Sequence, residues 1–220
     1  MVLPLTFLIL CAFAAKRYAT KPLRGLSPLT VVIDAGHGGS DNGTIAGDAK
    51  EKDINLALAL KVKELVPEYR VNVVLTRKTD ELAGGSSDIH ASLEYRVQMA
   101  EASKADLFVS LHCDNSAGGH TRSGFSVYVS PENAHYTESA KLGSALLDAV
   151  KPTYAVDKNL RQRNEGVYIL LHTAMPAILM ECGFIDNPTD LAFIRDPQNQ
   201  ATIARDILQA IRNYQQAAAK

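Results

Sequence analysis

Four residues whose side chains can do chemistry sit where predicted strands stop: His37 in VVIDAGHGG, Glu51 in EKDINL, His112 in DLFVSLHCD and Glu181 in AILMECGF. Two imidazoles and a carboxylate suit a zinc ion, and a second carboxylate suits a base acting on a water that the ion makes acidic. The set spans most of the chain, so one edge of the fold must gather it. Open α/β sheets bind ligands in the crevice at the carboxyl ends of their strands, and strand ends are where these residues fall. The types and placement imply metal-assisted hydrolysis.

Each residue has an alternative use. The glycine loop AGHGGSDNG is no phosphate cradle: no Gly-Lys-Ser/Thr closes it, and Asp41 stands where a dinucleotide fingerprint needs its third glycine. Glycines around His37 instead let the backbone bend and leave the imidazole bare to a cleft. An imidazole buried at His37 or His112 is unfavourable unless paired or ligated. Glu51 precedes a helix, where a carboxylate also suits the N-terminal dipole. Glu181 ends the apolar run AILM, where a carboxylate has no evident structural task; burial there would raise its pKa toward the range useful for proton transfer. His90, His120 and His135 fall in loops or at an exposed helix start and are read as structural. His172 follows an apolar run and is a candidate to face the cleft.

The elements that must position these groups follow from patterning. TVVIDA at Thr30 to Ala35 reads as a buried strand. Asp53 to Val66 reads as a helix with Asp53 as N-cap, ended by Pro67. Arg70 to Thr76 is a strand, Lys78 to Ile89 an exposed polar loop, and Ser92 the N-cap of a second helix. Leu107 to Leu111 is a strand and Gly124 to Ser130 alternates like a half-exposed one. A helix is expected over Ala134 to Val150, a β-like run at Val167 to Leu171 and a strand at Ala177 to Met180. Asp196-Pro197 supplies an N-cap and first helical residue for the last helix. Alternating strands and helices imply an α/β fold: a mostly parallel central sheet of about six strands with helices on both faces.

The chain has 220 residues, 46% of them hydrophobic, enough to bury one ordinary core. A net charge of −1 with interspersed signs gives no electrostatic footprint for nucleic acid, and the absence of tryptophan argues against a base-stacking platform. Three cysteines are too few for a disulfide scaffold. Cys113 and Cys182 follow His112 and Glu181 directly, so on a strand each points away from the site, as a buried free thiol; a disulfide between them cannot be judged from spacing. Residues 1–15 are apolar and uncharged, too short to span a membrane, and read as a signal peptide or N-terminal anchor. Residues 16–29 form a linker, and residues 30–216 a catalytic domain.

Seven segments in order, VVIDAGHGGSDNG, EKDINLALAL, VVLTR, SLEYRVQMA, ADLFVSLHCDNS, SGFSVYV and PAILMECGFIDNPTD, make the chain similar to the zinc-dependent N-acetylmuramoyl-L-alanine amidases of the type-3 family. The resemblance implies Zn2+ held by His37, Glu51 and His112, Glu181 as catalytic acid/base, and hydrolysis of the amide between N-acetylmuramic acid and L-alanine in peptidoglycan. Muropeptides are the partner it implies; with the apolar run 1–15 as signal peptide or membrane anchor, export to the periplasm or cell envelope of a bacterium is expected, as a monomer. Asp114 departs from the family pattern and would alter the charge beside the ion. The loop Leu82 to Ile89 is longer than usual. The few residues after SGFSVYV leave no room for the inhibitory helix of some relatives, so activity without an activator is expected. Another zinc amide hydrolase acting within stem peptides, or a non-catalytic wall-binding protein, are the competing readings. Arg122, Arg161 and Arg163 are read as solvated arginines rather than contacts for substrate carboxylates.

Overall fold

The computed structural model describes residues 27–117, 122–156, 160–165 and 167–219. The apolar segment 1–15, most of the linker 16–29, and His120 lie outside them. No helix among the described residues is long and apolar enough to cross a membrane.

Six strands form one sheet in the order β4-β1-β5-β8-β6-β7, with β1 at Thr30–Ala35, β4 at Asn72–Leu75, β5 at Leu107–Asp114, β6 at Ser126–Val129, β7 at Arg161–Gln162 and β8 at Ala177–Phe184. All pairings are parallel except β6 with β8. A two-stranded hairpin, β2 at Ile45–Ala46 and β3 at Ala49–Lys50, stands apart. Both faces of the sheet are covered, as its central parallel strands require. On one face lie α1 (Glu51–Leu65), α3 (Tyr136–Val150), α5 (Pro188–Arg195) and α6 (Pro197–Ala218). On the other lie α2 (Ile89–Ala102) and the short α4 (Tyr168–His172).

Strand alternation sorts the core. Val31, Ile33, Val109, Leu111, Ile178 and Met180 enter the larger cluster, while Val32, Phe108 and Leu179 enter the smaller one. Cys113 and Cys182 are buried free thiols in the larger cluster, facing away from their neighbours as alternation demands.

Several boundaries differ from the sequence reading. α1 begins at Glu51, with Lys50 and not Asp53 in the cap position, so Glu51 belongs to the helix's first turn. α2 begins at Ile89, where Asp88 accepts a hydrogen bond from the Ala91 amide at 2.7 Å; Ser92 is buried within the helix. Residues 168–172 are helical rather than β-like. Both edges of β8 are already taken by β5 and β6, and the i, i+4 spacing stacks Tyr168 on His172 with centroids 4.1 Å apart. β6 is mostly buried, not half-exposed, because Val127 and Val129 enter the larger cluster while Tyr128 packs against the smaller one. Leu82 and Ala83 turn inward from the loop expected to be exposed. α6 starts as expected, with Asp196 accepting from the Gln198 and Asn199 amides.

Candidate metal centre

His37 follows β1 in the left-handed backbone region, at φ 62°. A histidine adopts that conformation only when its surroundings hold it there. Two buried arginines do so. Arg96 on α2 donates to the carbonyls of Ala35 at 2.8 Å and His37 at 2.7 Å. Arg77 donates to those of Ala35 at 2.9 Å, Gly36 at 3.0 Å and Lys52 at 2.7 Å, joining the loop to the start of α1. Asp34 balances Arg96 directly and accepts from Ser110 and Thr76 at 2.7 Å each. Burial pushes the Asp34 carboxyl up, but Arg96 and the two hydroxyls outweigh it and hold it below the usual carboxylate range.

Glu51 is fixed from several sides. Its Oε2 accepts the Thr44 amide at 2.9 Å, and its Oε1 accepts the Cys113 amide at 3.0 Å. That same Oε1 lies 2.9 Å from His112 Nδ1 and 3.2 Å from His37 Nε2. The two rings meet edge to face with centroids 4.8 Å apart. Two glycines make the approach feasible: a Cβ on Gly36 would fall 2.4 Å from the His112 ring, and one on Gly43 would fall 2.6 Å from both Glu51 Oε2 and the His37 ring.

The donor set fits a small divalent cation. His37 Nδ1 stands 2.7 Å from Asp41 Oδ2. If Nδ1 donates there, a neutral ring turns the lone pair of Nε2 toward a carboxylate oxygen. Only a proton or a cation makes that arrangement favourable. Burial lowers the His37 pKa, but Glu51 and Asp41 more than reverse this and raise it to about 9. For Glu51, burial acts upward, yet His112 and His37 hold the carboxyl far below its usual range. All three donor atoms lie within 4.8 Å of one another. Separations of 3.2 and 2.9 Å approach the ~3.3 Å between ligand atoms around a tetrahedral ion with bonds of about 2 Å.

Glu181 is the register partner of His112 across β5 and β8. It is buried, and its Oε2 has no hydrogen-bond partner. Burial first, then the charges of Glu51 and Asp114, push its pKa up to about 8, with Arg163 and His37 pulling the other way. His37, Glu51, His112 and Glu181 all line one cavity of about 370 Å³. An adjoining groove of about 510 Å³ shares the two histidines and is walled by apolar residues including Leu82, Leu93, Val167, Tyr168 and Leu179. The arrangement can hold a cation on three side chains and place a protonatable carboxylate beside it.

The remaining candidates separate. His90 is exposed and meets Tyr168 edge-on; His135 precedes α3; neither is among the gathered donors. His172 lines the apolar groove without joining the donors. Arg122 lies over the Phe184 ring, and Arg161 and Arg163 over Tyr128. Arg163 is exposed, as the sequence reading expected, and also lines the cavity. Asp41, Arg77 and Arg96 were missed. For Asp41 a signal existed, its place four residues after His37; the arginines act on backbone groups up to 61 positions away and leave no local trace.

A family model described as N-acetylmuramoyl-L-alanine amidase matches residues 31–213. The germination-specific N-acetylmuramoyl-L-alanine amidase of Bacillus subtilis (strain 168) is 28% identical over 195 residues, covering 86% of this chain and 81% of that protein. The catalytic domain of CwlV, an N-acetylmuramoyl-L-alanine amidase from Bacillus (Paenibacillus) polymyxa var. colistinus, is similar in structure with a TM-score of 0.73 at 31% identity, over 86% of this chain and 98% of that one. The CwlD amidase of Clostridioides difficile, solved in complex with the GerS lipoprotein, gives a TM-score of 0.75 at 27% identity, over 86% and 99%. Matched by the family model from residue 31 to residue 213 and by the fold of these solved structures, this chain belongs to the N-acetylmuramoyl-L-alanine amidase family.

Proposed function

We propose that the chain hydrolyses the amide between N-acetylmuramic acid and L-alanine in bacterial peptidoglycan using Zn2+ held by His37, Glu51 and His112, with Glu181 as acid/base. The observation that carries this reading is the buried, unpartnered Oε2 of Glu181 on the cavity that the three donors share. Zinc, when bound, polarises the scissile carbonyl, acidifies water and offsets the charge of the tetrahedral oxyanion.

The protein's own groups do the rest. Asp41 accepts a hydrogen bond from His37 Nδ1–H, fixing the tautomer that leaves Nε2 as the ligand atom. The Thr44 and Cys113 amides hold the Glu51 carboxylate in position, and the two imidazoles keep it ionised. Glu181 accepts the proton of the attacking water and passes it to the departing amine of L-alanine. Burial and the charges of Glu51 and Asp114 raise the metal-free Glu181 pKa to about 8, so this carboxyl can hold a proton as well as release one.

Such a substrate lies outside the cytoplasmic membrane. We therefore read residues 1–15 as a signal peptide or anchor for export to the periplasm or envelope, 16–29 as linker and 30–216 as the catalytic domain, acting as a monomer. Digestion of defined muropeptides followed by mass spectrometry tests the reaction. Intact stem peptides with free L-alanine amino ends are expected. Cleavage within the stem would identify a peptidase, and binding without cleavage a wall-binding protein; either result overturns the reading.

A further inference from the structure

The cleft has two chemically different ends, and they orient the substrate. This step rests on the reaction proposed above. Glu181 hands its proton to the leaving amine, so the peptide must depart on the Glu181 side. The adjoining groove, which shares His37, His112, Val167 and Leu179 with the Glu181 cavity but is not lined by Glu181, is walled largely by apolar side chains. On the Glu181 side the cavity continues through Asp114, Asn115 and Arg163, and Arg163 also lines the next surface recess with Gln162, Asn164 and Glu165.

Among the described residues, Arg163 is the one lysine or arginine lining either of these two recesses. Its amide donates to the Val129 carbonyl at 3.0 Å, so the backbone is anchored where β7 ends. Its guanidinium rests 5.6 Å from the centroid of the Tyr128 ring, a contact that steadies the side chain without using its donors. The side chain is exposed, and its charge reaches Glu181 strongly enough to oppose the upward shift of that carboxyl. Acidic neighbours Asp114 and Glu165 bias the rim against anions in general, so an anion that docks there needs the planar fork of Arg163. A stem in which the residue after L-alanine is linked through its side-chain carboxyl would keep a free backbone carboxylate there, a group of the kind that this fork takes.

We infer that Arg163 binds that stem carboxylate and makes the enzyme prefer stems in which it is free over stems in which it is a carboxamide. The test uses two muropeptides that differ only there, with the intact zinc-loaded protein. A solvent-facing, charge-assisted contact sets the expected preference at about tenfold in kcat/KM, carried by KM. Arg163→Ala should erase it by raising KM for the acid alone, Arg163→Lys should restore part, and Arg163→Glu should favour the amide. Melting temperature and zinc content should match wild type. Equal losses of kcat on both substrates would mean that Arg163 acts through Glu181, and a wild-type enzyme blind to the difference would equally overturn the inference. Failure of wild type to cleave either muropeptide at the L-alanine amide would instead bring down the reaction on which it rests.

Discussion

His112 and Glu181 are register partners on neighbouring parallel strands, yet their electrostatic situations are opposite. The imidazole is 2.9 Å from the Glu51 carboxylate, while Glu181 Oε2 is buried with nothing to bond. On the proposed reading, His112 grips the ion and Glu181 exchanges protons. Glu181→Gln should therefore keep its metal and lower turnover by about 10²–10⁴-fold, the range for a lost general acid/base. His112→Ala should lose the metal. Metal analysis beside dye release from labelled sacculi checks both.

The pH response of the metal-free protein has a definite sign. His37 is raised to about 9, so its imidazolium stabilises the fold below its ordinary 6.5, and that contribution disappears as pH climbs through 9. Glu181, raised from 4.5 to about 8, acts in the same direction: folding favours its neutral form, and the benefit is lost as pH rises through 8. Asp34, Asp41 and Glu51 are lowered and protect the fold until acid protonates them. Metal-free protein should melt highest in mild acid and progressively lower toward pH 9. Zinc competes with the His37 proton, so its stabilising increment should widen over the same interval. Calorimetry with and without chelator at several pH values measures this.

Two glycines with similar backbone angles should respond differently to alanine. At Gly43, φ 62°, the new methyl would meet Glu51 and His37, and metal binding should collapse. At Gly47, φ 60°, it meets open space, so the penalty should be backbone strain of about 1 kcal/mol with activity retained. Urea unfolding and zinc titration separate the two effects.

Removing the Arg96 guanidinium should destabilise far more than removing a surface charge. Arg96→Met leaves the buried Asp34 carboxylate without its ion partner and the His37 carbonyl without its donor, an expected loss of about 3–5 kcal/mol. Zinc affinity should fall by about 10–100-fold, the usual result of cutting a support behind a ligand. Arg96→Lys should rescue little, since one ammonium cannot replace the planar fork.

Residues 130–135 join β6 to α3 and contain no helix, so nothing in that connection covers the cleft. Purified protein should digest sacculi without any added partner, and activity appearing only after a partner is supplied would contradict this.

Sequence legibility followed the range of the interaction. Apolar runs such as VVIDA and AILM marked the strands, and those strands carried His37, His112 and Glu181 to one edge. Run ends were less legible: β5 and β8 continue to Asp114 and Phe184, because their partner edges continue to pair past the apolar stretch and through an irregularity between His112 and Asp114. VYILL misled because a five-residue apolar run fits a strand or a helix turn alike, and only the occupied edges of β8 decide. The β2–β3 hairpin, two residues a side, is too short to leave a pattern. Asp34, Arg77 and Arg96 were opaque for a different reason. Their partners are backbone carbonyls, distant hydroxyls and each other, and no periodicity records that.

Along β5 and β8, Cys113 and Cys182 stand one position after the reactive groups and point into the packed interior. The floor of the cleft and the roof of the hydrophobic interior are thus two sides of one sheet. Any change in bulk at these thiols must tilt the neighbouring imidazole or carboxylate, turning positions that no ligand touches into dials on the rate. Laboratory selection for faster or slower wall turnover should therefore enrich substitutions hidden from solvent, behind the chemistry rather than around it.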